Sequence, residues 1–352
     1  MAQHQAKAPH TLDLNALNNY LSDACPEIGK VKSADKFAGG QSNPTFKLTT
    51  DSGVFVLRRQ PPGKLLKSAH AVDREFRVIH ALQGTDVPVP KVYHLCEDAR
   101  VIGSMFYIMA YVDGTIFWNS ALPEINSSAT RGAMYDEMNR VLAALHSVDI
   151  NAIGLADYGK PGSYFERQLS RWTKQYRASE LEHIEEIESL ITYLESHLPE
   201  DDGQIALVHG DFRLDNMMFD MTDSDHPSVV AVLDWELSTL GHPYADLAYQ
   251  CMQLRLPSDI AHAAGLGGLD RAALGIPSER EYVQSYCRRR GIESISNWTF
   301  YLAFSFFRLA AILQGVVKRA HDGNASSEKA MQLGAMVRPL AQIANQTINQ
   351  EL

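Results

Sequence analysis

The chain has 352 residues, 45% of them hydrophobic, and a formal net charge of -10 from 42 acidic and 32 basic side chains. That length supports a sizeable core and two lobes, and without a basic stripe nucleic acid is not expected as a partner. The four cysteines, Cys25, Cys96, Cys251 and Cys287, are far apart and form no CxxC pair, so neither a zinc site nor a disulfide framework is suggested.

In chain order, MAQHQAKAPH shows no apolar signal region, which makes a cytoplasmic enzyme the expectation. LDLNALNNYLSD follows as a short amphipathic helix. Extended runs come next: DKFAGG, then TFKLTT and VFVLRR joined by the turn Asp51-Ser52-Gly53, with Pro61-Pro62-Gly63 as the stop. SAHAVDREFRVIHALQG reads as a helix, because Val72, Phe76, Ile79 and Leu82 recur at helical spacing and Gly84 suits its C-terminal cap. VPVPKVYHLCED and IGSMFYIMAYVDG read as strands. Residues 1–110 are thus expected to form a strand-rich lobe and residues 111–352 a larger, mainly helical one.

After Gly114 the pattern turns helical. MYDEMNRVLAALHSV is amphipathic, and Ser163 to Leu198 holds glutamate-rich segments such as SELEHIEEIESLITYLESHL, whose acidity suits a solvated face. Arg288-Arg289-Arg290 before Gly291 reads as cations at a helix C-terminus. FYLAFSFFRLAAILQGVV, Phe300 to Val317, is apolar and long, but Arg308 and Gln314 lie mid-run. Charge there is costly in lipid, so a buried helix is expected and no membrane partner.

Between the helical blocks lies a non-helical island, Ile205 to Leu233, containing LVHGDFRLDN. MMF and VVAVL read as two arms of an antiparallel hairpin around Asp220 to Ser228. Such a hairpin would bring Asn216 and Asp234 together at its open end, with Asp211 on the loop that feeds it. An amide and a carboxylate suit a hard cation such as Mg2+, and Asp211 would remain to accept a proton from an attacking hydroxyl. Taken singly, Asp211 and Asp215 could equally be turn residues and Asp234 a helix cap.

His209-Gly210-Asp211, Asn216 and Asp234-Trp235-Glu236 carry a resemblance. H-G-D-x-x-x-x-N followed by an apolar strand and D-W-E resembles the aminoglycoside phosphotransferase and choline kinase branch of the protein-kinase-like fold. The resemblance implies an α+β, two-lobed fold, with a small antiparallel-sheet N-lobe plus one helix and a larger helical C-lobe. It implies ATP and Mg2+ as cofactors, Asp211 as base, Asn216 and Asp234 on the metal, and His209 as a structural residue. Arg213 would sit near the transferring phosphate, and Asp246 would anchor the loop. Arg58 takes the place of the usual phosphate-binding lysine, with Glu75 as its ion-pair partner; a guanidinium can clamp two phosphate oxygens. The loop Phe37 to Phe46 lacks the usual glycine pattern, but Gly40, Ser42 and Asn43 could offer donors to phosphate. Met109, Ala110 and Val112 fall where the adenine is held.

Within the family, VLRRQPPGKLLKSAHAVDREFRV and VPVPKVYHLCED look like the kinase-like domain that some proteins carry ahead of an acyl-CoA dehydrogenase domain. That closer resemblance implies a link to acyl-CoA metabolism and a hydroxyl acceptor such as a hydroxyacyl-CoA or hydroxy acid. The acidic stretch around Glu180 to Glu188 leaves a cationic acceptor open, and the atypical lysine and glycine positions leave a nucleotide-binding pseudokinase open. A homodimer is also left open.

Overall fold

The structure is a computed structural model and describes residues 12–37, 43–61, 70–258, 265–323 and 332–350. The chain divides into two compact units, Met1–Thr115 with Val230–Ser238, and Ile116–Val229 with Thr239–Leu352.

The first unit is built on a five-stranded antiparallel sheet. Its strands are β1 (Val31–Lys36), β2 (Thr45–Thr50), β3 (Val54–Arg59), β4 (Val92–Cys96) and β5 (Phe106–Ala110), in the order β1-β2-β3-β5-β4. Alternation explains its core face: in TFKLTT, Phe46, Leu48 and Thr50 are buried while Thr45, Lys47 and Thr49 are half-buried. Helix α1 (Leu14–Ala24) is capped by Asp13, whose Oδ1 accepts from Ala16 N at 3.1 Å. It lays Leu17 and Leu21 onto Phe46, Leu48, Leu57, Phe106 and Ile108. Helix α2 (Val72–Leu82) buries Val72, Val78, Ile79 and Leu82, with Glu75 among them. It packs against β4, β5 and the short 3-10 turn Trp235–Leu237. The first strand begins at Val31, earlier than DKFAGG suggests. Only Val31 of its six residues is fully buried, so VKSADK carries almost no alternation to read.

The second unit is mainly helical: α3 (Ser128–Ser147), α4 (Tyr164–Ser179), α5 (Glu185–Ser196), α6 (Tyr244–Gln253), α7 (Arg271–Leu274), α8 (Glu279–Arg290), α9 (Trp298–His321) and α10 (Val337–Asn349). Helix α3 starts before MYDEMNRV, where Ser127 Oγ accepts from Thr130 N at 3.2 Å. Helix α8 ends at Gly291 in the left-handed conformation, φ 65°, with Arg288 to Arg290 in its last turn. Helix α9 is long and apolar enough to cross a membrane by length and composition, yet 72% of its apolar window is buried inside the structure. Gln314 Nε2 donates to Ser179 O at 2.9 Å and Arg308 Nη2 to Gly210 O at 2.7 Å, so both polar residues face protein partners. Two short strands, β6 (Ala206–Val208) and β9 (Thr239–Gly241), pair antiparallel around the island. Between them in sequence, β7 (Met217–Asp220) pairs with β8 (Ser228–Val232), the expected two arms. The four cysteines are free and buried.

Candidate active site

In the second unit, β6 delivers the chain into His209-Gly210-Asp211. The turn is held by Asp246 on α6. Its carboxylate accepts from His209 N at 2.6 Å and Gly210 N at 2.8 Å, with His146 Nε2 at 3.5 Å. Burial alone would raise the proton affinity of Asp246. The donated hydrogen bonds and neighbouring histidines outweigh it and hold the carboxyl below its ordinary range. Gly210 has φ 84°, a left-handed conformation that an L side chain would strain. Its carbonyl receives Arg308, so both sides of this residue are tied.

Asp211 follows directly. Its N–H donates to His209 Nδ1 at 3.2 Å. Asn216, in the 3-10 turn Leu214–Asn216, donates Nδ2 to Asp211 O at 2.8 Å and to Asp211 Oδ2 at 2.9 Å. The Asp211 side chain is 24% exposed, with Arg213 Nε 3.7 Å from Oδ1. Arg213 itself pairs with Asp215 through Nη2 at 2.5 Å. The result is a carboxylate fixed by an amide and by the backbone, partly exposed, and paired with the Arg213 guanidinium at 3.7 Å. With Nδ2 donating to Asp211, the Asn216 side chain has Oδ1 left as an oxygen donor for a cation.

In the first unit, Arg58 on β3 is the centre of a charged cluster. Nε donates to Glu75 Oε2 at 2.8 Å, Nη2 to Asp234 Oδ1 at 2.6 Å, and Nη1 to Thr45 Oγ1 at 3.4 Å. Burial works against the charged guanidinium, but Glu75, Tyr107 and Asp234 more than offset it and raise its affinity for the proton. Burial pushes the Glu75 carboxyl up to about 7, against the pull of Arg58. Asp234 stands at φ 61°, a left-handed conformation rare outside glycine, and its side chain is 37% exposed. One of its oxygens takes Arg58, and the carboxylate chemistry of the other suits a hard cation.

The remaining expected residues lie in the first unit or outside the described residues. Asn43 is buried; its Oδ1 meets His70 Nδ1 at 3.1 Å, and its Nδ2 has no acceptor among the described residues. Gly40 and Ser42 lie outside the described residues. Met109 is buried on β5 opposite Val56 and Val92. The Ala110 N–H donates to Lys91 O at 2.7 Å, and Val112 is half-buried just past the strand end. Sequence reasoning did not foresee the Arg58–Asp234 pair, His146 beside Asp246, or Arg308 on Gly210. The one available signal was an arginine in the middle of an apolar helix, which asks for a partner.

A small antiparallel sheet with a glutamate-bearing helix, and a helical unit carrying H-G-D-x-x-x-x-N, together define the protein-kinase-like fold. A family model described as the phosphotransferase enzyme family matches residues 33–282, and the chain belongs to that family. Acyl-CoA dehydrogenase family member 10 of Mus musculus is 49% identical over 312 residues, covering 88% of this chain and 28% of that protein. The chain therefore spans less than a third of that relative's length. A Ralstonia eutropha chain provisionally named an aminoglycoside phosphotransferase has a solved structure at TM-score 0.87 and 48% identity, covering 97% of this chain and 99% of that one. A ternary complex of the aminoglycoside phosphotransferase APH(4)-Ia with ADP and hygromycin B has TM-score 0.61 at 13% identity, covering 94% and 98%, a likeness of fold.

Proposed function

We propose that this chain is an ATP- and Mg2+-dependent small-molecule kinase that transfers the terminal phosphate of ATP to a hydroxyl acceptor. The observation that carries the reading is the fixing of Asp211. Its carboxylate is oriented by Asn216 and its backbone by His209, in a loop hung on Asp246. Asp211 would accept the proton of the attacking hydroxyl as the oxygen–phosphorus bond forms and the bond to the leaving diphosphate breaks. Arg58, held by Glu75, would orient the inner phosphates, and Arg213 would sit by the transferring one. Asn43, with Gly40 and Ser42, would offer donors to phosphate, and Met109, Ala110 and Val112 would hold the adenine. Asn216 and Asp234 would hold Mg2+, which when bound neutralises phosphate charge. Orientation and charge neutralisation supply most of the rate in such chemistry.

For the acceptor, the reading is a hydroxyacyl-CoA or hydroxy acid. The name of the mouse relative supports a link to acyl-CoA metabolism. The rival cationic acceptor would need the acidic stretch on and before α5. There Arg177 pairs with Glu188 and lies 3.8 Å from Glu180, and Arg338 pairs with Glu186 at 2.6 Å. These acids are answered by the chain's own cations. Asp211→Ala is expected to abolish transfer from labelled ATP while MgATP still binds; Asp234→Ala is expected to weaken MgATP binding. Wild-type activity in Asp211→Ala would sink the assignment. A transfer screen over hydroxyacyl-CoAs, hydroxy acids, amino alcohols and aminoglycosides names the acceptor.

A further inference from the structure

Beside the catalytic loop the second unit holds arginines in an arrangement that structural ion pairing does not explain. Arg308 is half-buried on α9. Its guanidinium lies 5.9 Å from the ring centre of Trp172 and 5.5 Å from that of Tyr249, both buried rings. One nitrogen, Nη2, donates to the carbonyl of Gly210, the residue preceding Asp211. Among the described residues no carboxylate lies within ion-pair distance of Arg308. Arg171, on the next helix face and exposed, brings a second guanidinium to 5.2 Å from the same Trp172 ring, again with no carboxylate partner among the described residues.

Arg131, Arg167 and Arg290 of this unit are answered by backbone carbonyls as Arg308 is. What sets Arg308 apart is its place against two buried rings beside the catalytic loop. Other arginines sit on acids. Arg140 pairs with Glu137, Arg177 with Glu188, Arg255 with Glu279, Arg289 with Asp136 and Arg338 with Glu186. A chain with ten more acidic than basic side chains has carboxylates to offer, yet none stands at Arg308. A guanidinium lying against two aromatic rings is partly stripped of water, while the N–H groups at its edge stay available to an acceptor. Arg171 and Arg308 both lie against the Trp172 indole, so the local field there is positive. Tyr249 also ties this place to the chemistry, because burial first and the neighbouring Asp211 carboxylate next raise the proton affinity of its hydroxyl.

We infer that Arg308, assisted by Arg171, is the specificity-determining residue for the acceptor and binds an oxyanion that the acceptor carries near its reacting hydroxyl. This rests on the kinase reading and deepens it, by selecting anionic hydroxy compounds over amino alcohols and aminoglycosides. The oxyanion could come from the carboxylate of a hydroxy acid or from the phosphates of its CoA conjugate. Planar bidentate pairing with an arginine fits either.

The test measures binding by calorimetry and transfer from labelled ATP. The probes are 3-hydroxybutyrate, its methyl ester and its CoA thioester, against wild type, Arg308→Gln, Arg308→Lys and Arg171→Gln. Wild type is expected to prefer the acid, the thioester or both over the ester. Preference for the acid marks the carboxylate, and preference for the thioester marks the phosphates. Arg308→Gln is expected to raise KM for the preferred anion about tenfold or more, leaving KM for ATP and the weak ester binding unchanged, and Arg308→Lys to recover part of the loss. Arg171→Gln, which leaves Gly210 untouched, is expected to give a smaller loss in the same direction. Equal binding of ester and anions by wild type, binding of none of them, or an Arg308→Gln loss equal on all three would overturn the inference; the last outcome makes Arg308 only a brace for Gly210. Anion preference without phosphate transfer would instead overturn the kinase reading and leave the binding site standing.

Discussion

Glu75 in the first unit and Asp246 in the second are both buried, at 1% and 0% exposure, yet they are held in opposite protonation regimes. Burial pushes Glu75 up to about 7; Arg58 pulls it down, but Asp234 and Glu236 push with the burial. At Asp246 burial pushes the same way, and His146, His209 and the Gly210 N–H overcome it. The difference lies in what faces each carboxylate. Glu75 shares one guanidinium with a second acid, so the cluster is charge against charge. Asp246 receives two short backbone hydrogen bonds from a turn whose geometry is already set. Fixed dipoles can stabilise a buried anion where a shared countercharge does not. The two arrangements suit different tasks: in the proposed reaction the first would hold a cation for phosphates, and the second holds a loop still.

The largest effect that tests this contrast is expected at Asp246. Asp246→Ala strands two buried N–H groups, each costing about 1–3 kcal/mol. Urea unfolding should show a loss of about 2–5 kcal/mol, together with reduced transfer, because Asp211 loses its anchored neighbour. A loss below about 0.5 kcal/mol would mean that the loop does not depend on this carboxylate. Next in size is Glu75→Gln, which keeps shape and a hydrogen-bonding oxygen but removes a charge that burial already disfavours. Stability is expected to change by only about 1 kcal/mol. MgATP affinity should fall about tenfold, the equivalent of about 1.4 kcal/mol, as Arg58 loses its orienting partner. A stability loss matching that of Asp246→Ala would erase the distinction drawn between the two carboxylates.

Much of this was legible in the sequence wherever a local period or spacing carried it. VFVLRR and its turn, the α2 stripe, the Gly291 stop, and the spacing of Asp211 and Asn216 all needed only neighbouring residues. Strand β1 was blurred because VKSADK buries one residue fully, and β9 is three residues long, too short to show a period. The long-range pairings within each unit are far apart in sequence: Arg58 meets Asp234 across 176 positions, and Arg308 meets Gly210 across 98. No local pattern specifies such contacts. The hairpin pattern led toward Asp234 as a cation ligand, while its ion pair with Arg58 emerged only from the folded first unit.

The smallest effect is a slope rather than a loss. An acid whose folded-state affinity for protons is raised binds more protons folded than unfolded, between its ordinary value and its raised one. Stability therefore falls as pH rises across that window. For Glu75 the window runs from about 4.3 to about 7. Asp246, held below its ordinary range, works the other way: its contribution is full above the unfolded value and is lost as pH falls through the folded one. Urea midpoints between pH 3 and pH 8 should thus climb out of acid with Asp246 and sag toward neutrality with Glu75. Glu75→Gln should flatten the sag and leave the acid limb in place. If the variant and wild type run parallel from pH 5 to pH 7, Glu75 stays ionised throughout. The Arg58 pair then prevails over burial, and the two carboxylates are stabilised alike.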